Sequence, residues 1–296
     1  MSIRLAQALQ ADLPTIEVLD IGAREEGADR YTPLVEQGLA RVTGFEPEIF
    51  AFERLKARSG PFTYYPHILG DGGPATLYVT SNSGCTSLLE PDPAVIDIFQ
   101  SIGASPPAGN FLVKDKVQVQ TVRLDDVNGL APPDYIKIDV QGAELMVLRH
   151  GIRTLFSATV VQCEVEFLPL YKNQPLFGDM QCFLREQGFV LHKLIDISGR
   201  TFIPMLLVEQ PHQALSQMLW ADAIFVRDFT KLDRWSDGDL LKAALVLNDI
   251  YKSFDLVGRL LREHDSRNNG ALYERYNQRL MHLEVIPFYL NQKNSY

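Results

Sequence analysis

Residues 134–151, DYIKIDVQGAELMVLRHG, constrain the fold more than any other stretch of the chain. Tyr135 to Ile138 is short and β-rich, and Pro132-Pro133 just before it forbids a continuing helix. Gln141-Gly142 lets the backbone turn. Leu145, Val147 and Leu148 then begin a helical apolar face, and His150-Gly151 closes it. A strand, a sharp acidic turn and an amphipathic helix in that order place Asp139 at the carboxyl end of a parallel strand, where open α/β sheets bind ligands. Glu144 falls in the first turn of the helix, where the dipole favours an acid whatever else it does.

The residues upstream repeat the pattern. Thr15 to Gly22 reads as a strand entering a glycine turn, Tyr31 to Leu39 has helical spacing, and Arg41 to Glu46 is a second strand ending on an acid. Ile49 to Ala57 is again helical, and Phe62 to Leu69 is a third strand that runs into Gly70-Asp71-Gly72-Gly73. This alternation predicts a parallel sheet covered by helices. Ala75–Thr80 and Val117–Leu124 alternate like half-exposed strands, with a polar loop from Ser81 to Ser87 and a helix from Pro93 to Ile102 between them. Thr159 to Phe167 is a strand carrying Glu164 and Glu166 at its carboxyl end. A helix over 178–187 and strands at 189–195 and 221–227 follow, the last two placed to pair antiparallel. From Asp228 the texture becomes helical, with Ser236 as a cap and no catalytic cluster. We expect residues 1–228 to form one domain and 229–296 a helical appendage through which copies could associate.

Composition narrows the partners. A net charge of -9 argues against a nucleic-acid ligand, which needs a basic face. Cys85, Cys163 and Cys182 are odd in number and scattered, which predicts neither a disulfide scaffold nor a zinc site and suits a reducing cytoplasm. No apolar run approaches the roughly 20 residues needed to span a bilayer, so the chain is expected not to be transmembrane.

Asp20, Gly22 and Ala23 after the first strand, with Glu46 ending the second, fit a nucleotide-binding crevice. The glycine permits close approach of a ligand, and the second acid can accept from both ribose hydroxyls. A dinucleotide would rest its pyrophosphate on this turn, and Glu25 and Glu26 in GAREEG would repel it. A zwitterionic amino-acid tail with a sulfonium tolerates acids far better, which favours S-adenosylmethionine over NAD.

The ordered set VLDIGA, GFEPE, LGDGG with ATLYVTS, VQTVRLDDV and DYIKIDVQGAELMVLRHG resembles the FkbM family of S-adenosylmethionine-dependent methyltransferases, and CEVEFLPLY and ADAIFVRD resemble its closing strands. The resemblance spans roughly residues 15–228. It implies a class I methyltransferase fold, a Rossmann-like α/β seven-stranded sheet with an antiparallel last strand. It also implies O-methylation of a hydroxyl on a sugar, glycolipid or secondary metabolite. By the same resemblance Asp20 and Gly22 line the methionine side of the cofactor, Glu46 holds the ribose, and Gly70 and Asp71 lie by the adenine. Asp139 would sit beside the sulfonium. The chain departs from the family at Arg24 and Glu26, where Asn and Gly are usual, and at Gln141, where Glu is usual. These departures support a rival reading, a non-catalytic protein that keeps the fold.

Methyl transfer to an alcohol needs alignment and removal of a proton. Asp139 is the first candidate for the base or substrate positioner, with Glu144 and Glu164 next. Lys137 points away from its apolar neighbours on a buried strand and needs an anionic partner, Asp20 or Glu164, unless it lowers the alcohol's pKa. Asp139, Glu164 and Glu166 could gather a hard cation, but a metal-free mechanism ranks first.

Overall fold

The computed structural model describes residues 4–24, 29–107 and 109–281. Nine strands are present among them: β1 (Ile16–Ile21), β2 (Ala40–Phe45), β3 (Phe62–Tyr65), β4 (Pro74–Thr80), β5 (Val113–Gln120), β6 (Tyr135–Ile138), β7 (Val160–Glu166), β8 (Phe189–Gly199) and β9 (Met218–Arg227). Ten α-helices accompany them: α1 (Leu5–Leu9), α2 (Thr32–Glu36), α3 (Ile49–Lys56), α4 (Pro93–Ile96), α5 (Glu144–Arg149), α6 (Ile152–Ser157), α7 (Phe177–Glu186), α8 (Asp237–Asp249), α9 (Phe254–Asn268) and α10 (Leu272–Leu280).

Seven strands form one sheet in the order β3-β2-β1-β6-β7-β9-β8. β2 and β3 pair in parallel, as do β6 and β7. β9 runs antiparallel to both β7 and β8 and lies between them. The last strand in sequence is thus the reversed one, as the family resemblance implied. The chain's order reverses at β1 and β6, the topological switch point of an open α/β sheet, and ligands bind at the carboxyl ends of such strands.

Several boundaries moved for local reasons. The third strand, expected to reach Leu69, stops at Tyr65 because Pro66 has no N–H for the ladder. Leu69 instead makes an isolated bridge with Val122. The two alternating segments leave the main sheet and pair with each other as an antiparallel ribbon, β4 with β5. The helix expected over 93–102 ends at Ile96, and the Asp97 carboxylate accepts from the Ala104 N–H instead of continuing the turn.

The chain divides into two compact units. One comprises Leu19–Glu25 and Val42–Asp228. Its core sets Ile136, Ile138, Val161 and Cys163 of β6 and β7 against Leu145 and Leu148 of α5 and Met180 and Leu184 of α7, all buried. These are the apolar positions of near-continuous hydrophobic strands, as a sheet covered on both faces requires. The other unit comprises Met1–Val18, Glu26–Arg41 and Phe229–Tyr296. There the Asp249 carboxylate accepts from the Leu5 N–H at 2.9 Å and from Gln37 Nε2 at 3.0 Å, and Tyr276 donates to Asn248 at 2.6 Å. Ser236 caps α8 in a reciprocal box with Asp239. No helix among the described residues is long and apolar enough to cross a membrane.

Candidate active site

The site is built where β1 and β6 end side by side. The Asp139 N–H donates to the Ile21 carbonyl at 3.0 Å, and Gly22 turns immediately afterwards with φ +84°. A Cβ at Gly22 would lie 1.9 Å from the Asp139 carbonyl oxygen, so only glycine lets the two strand ends close. Gly22 and Ala23 both donate to the Phe45 carbonyl, which brings the end of β2 against the same turn.

On the β1 side, Asp20 is fully buried, and Lys137 Nζ lies 3.0 Å from its Oδ1. The same ammonium donates to the Gly22 carbonyl at 3.2 Å. Of the two partners foreseen for Lys137, the chain uses Asp20. Lys137 thereby ties the Asp20 carboxylate to the glycine turn. Glu46 is buried at the end of β2 and accepts from the Glu48 N–H at 2.7 Å through Oε1. Burial raises its carboxyl above the ordinary range, opposed by that N–H and by Arg24. Arg24 donates across the opening to the Ser83 carbonyl, tying the first turn to the polar loop after β4. Glu25, Glu26 and Gly27 lie outside the described residues.

Gly70 and Asp71 are held differently. A Cβ at Gly70 would meet the Thr121 side chain at 2.8 Å, so the glycine serves close packing. The exposed Asp71 carboxylate accepts from the Gly73 N–H at 2.8 Å, with Thr121 Oγ1 at 3.4 Å. The Gly73 N–H lowers its pKa.

On the β6 side, oxygens of Asp139, Glu144 and Glu164 lie within 4.8 Å of one another. N–H donors hold them there. Gln141 Nε2 donates to Asp139 Oδ1 at 2.9 Å and to Glu164 Oε2 at 2.8 Å. Glu144 Oε1 accepts from the Val140 and Gly142 N–H groups at 2.7 and 3.2 Å. Each of the three groups thus has one oxygen engaged by N–H donors. Burial pushes Glu144 up to about 7, with the Asp139 charge adding to it. Burial also raises Glu164 and Glu166 well above the carboxylate range, and neighbouring acids add to both. Glu144 is therefore a buried clamp of the 139–142 turn.

Tyr171 and Ser87 join this group without having been singled out in the sequence. The Tyr171 hydroxyl donates to the Cys85 carbonyl at 2.9 Å and lies 3.2 Å from Gln141 Oε1; Ser87 donates to the Gln141 carbonyl at 2.6 Å. Tyr171 belongs to the CEVEFLPLY stretch and to the 168–177 loop, which the sequence marks as a substrate-contact loop. Gln174 then fixes the Tyr171 loop by accepting from the Leu170 and Tyr171 N–H groups.

A family model described as the methyltransferase FkbM domain matches residues 20–191, more than half of the chain. The chain belongs to the FkbM methyltransferase family. The match begins at Asp20 and includes both halves of the site. No curated protein sequence matches the chain. Among solved structures, methyltransferase FkbM from Methylobacillus flagellatus matches with 13% identity and a TM-score of 0.40, over 76% of this chain and 48% of that one. The present chain thus spans about half the length of that relative. Magnesium protoporphyrin IX methyltransferase from Synechocystis, solved with bound S-adenosylmethionine, matches with 13% identity and a TM-score of 0.37, over 75% of this chain and 76% of that one. The 23S rRNA methyltransferase ErmE matches with 12% identity and a TM-score of 0.32, over 82% of this chain and 75% of that one.

Proposed function

We propose that this FkbM-family chain is an S-adenosylmethionine-dependent O-methyltransferase acting on a hydroxyl of a sugar, glycolipid or secondary metabolite. One observation carries the reading. The Gly22 turn closes directly on Asp139, so that the acids of a cofactor crevice and a carboxylate cluster share one sheet edge.

The residues fit the cofactor. Glu46 is buried, and its Oε2 accepts no hydrogen bond from the described residues, which leaves an acceptor for a ribose hydroxyl. Asp20 and Glu46 are acids at the strand ends, suited to a cationic ligand and hostile to a pyrophosphate. When bound, S-adenosylmethionine supplies a methyl group on a positively charged sulfur, which leaves with the C–S electron pair. Asp20, steadied by Lys137, would face the amino-acid portion, and Glu46 would orient the ribose. Asp139 would take the proton of the acceptor hydroxyl as its oxygen bonds the methyl carbon. The acceptor would be shaped by the loops at 81–110 and 168–177, which converge on Gln141 through Ser87 and Tyr171. The free thiols of Cys85, Cys163 and Cys182 support a cytoplasmic setting.

Calorimetric titration with S-adenosylhomocysteine tests the reading, with saturable binding as the expected result. No heat of binding at millimolar ligand would leave only a non-catalytic protein that kept the fold. Asp139→Ala should retain this binding and lose methyl transfer to any hydroxyl acceptor found by screening.

A further inference from the structure

We propose that Gln141 is a positioning residue: its amide clamps the Asp139 and Glu164 carboxyl groups side by side and so presents Asp139 as the proton acceptor. Only the identity of the accepted proton rests on the methyltransferase reading; the clamp can be tested without it.

The geometry gives the amide one role at each atom. Nε2 has two protons, and they go to two different carboxyl groups, at 2.9 and 2.8 Å. Oε1 faces the Tyr171 hydroxyl at 3.2 Å. The reversed amide would set its oxygen against the Asp139 and Glu164 oxygens, so the acid pair selects the orientation. Gln141 also holds φ +58°, a region that non-glycine residues rarely occupy, and Ser87 secures its carbonyl there.

The groups facing this clamp come from every neighbouring element. Lys137, engaged with Asp20, and Asp139 come from β6 and its turn. Glu144 comes from α5, and Cys163, Glu164 and Glu166 come from β7. Tyr171 and Cys85 come from the two flanking loops. Burial, then the Asp139, Glu166 and Glu144 charges, and a side-chain hydrogen bond with Asp139 raise Glu164. The two amide protons go to two of these acids, Asp139 and Glu164. At the same position a glutamate would supply no N–H and would add a carboxylate.

The test is carboxyl 13C NMR of the full chain labelled at Asp and Glu side chains, titrated from pH 4 to 10, with the Glu164 signal assigned from Glu164→Gln. Gln141→Leu and Gln141→Glu should each move the Glu164 ionisation up by about one pH unit or more, since a donor to the charged form is lost. Tyr171→Phe should move it less, and Gln141→Leu/Tyr171→Phe no further than Gln141→Leu alone, because Tyr171 acts through the amide. S-adenosylhomocysteine affinity should change less than about threefold in each variant. An unmoved Glu164 titration in variants that still fold overturns the proposal, and Tyr171→Phe decides it if the Gln141 variants do not fold. Failure of the wild-type chain to bind S-adenosylhomocysteine would overturn the methyltransferase reading and leave the titration result intact.

Discussion

Replacing Glu144 by glutamine isolates the cost of a buried charge in this site. The side chain is 2% exposed, and its Oε1 accepts from the Val140 and Gly142 N–H groups. A glutamine retains that acceptor and removes the ionisation. In the unfolded chain the carboxyl releases its proton near its ordinary value of 4.5, and in the folded chain at about 7. Between those values the folded state holds more protons, so stability is fully present below pH 4.5 and falls as pH rises through 7. At about 1.4 kcal/mol per pH unit, the loss is about 3 kcal/mol. Glu144→Gln should therefore lie within about 1 kcal/mol of the wild type at pH 5 and be more stable by about 3 kcal/mol at pH 8. Urea unfolding at both pH values measures this. Glu144→Ala keeps no acceptor for the two N–H groups and should be less stable at both pH values by about 1–3 kcal/mol for each. If Glu144→Gln shows the same fall in stability between pH 5 and pH 8 as the wild type, Glu144 is not the ionising group and the reasoning fails.

Other outcomes follow from single contacts. Gly22→Ala puts a methyl group on the Asp139 carbonyl in a left-handed turn, so S-adenosylhomocysteine binding should be abolished and the thermal midpoint lowered in calorimetry. Glu46→Ala should weaken that binding by about 10- to 100-fold, the worth of hydrogen bonds to a charged acceptor, with the thermal midpoint little changed. Since N–H donors already serve the carboxylates around Gln141, neither EDTA nor millimolar Mg2+ should move the thermal midpoint, whereas a native cation site would raise it in proportion to occupancy.

Much of the architecture is written locally. The alternation from Thr15 to Tyr65, the caps at Ser236 and the glycine after β1 act within a few residues, so the elements and the strand-end acids Asp20, Glu46 and Asp139 can be read without a structure. Glu164 and Glu166 are likewise visible because alternate residues of a strand share a face. What required the tertiary structure depends on partners distant in the chain. The sequence offers Lys137 two partners, Asp20 and Glu164, and only the fold sets Asp20, more than a hundred residues earlier, beside it. Glu144 looks like an optional helix acid until burial makes it the clamp of its own turn. Gln141 looks like a departure from the family until Glu164 and Tyr171 arrive from β7 and the loop beyond it. Element type and strand-end chemistry therefore came from short-range periodicity and backbone stereochemistry. Protonation, amide orientation and the division of labour among the acids came from desolvation and hydrogen bonds, which exist only once the sheet has brought β1, β6 and β7 together.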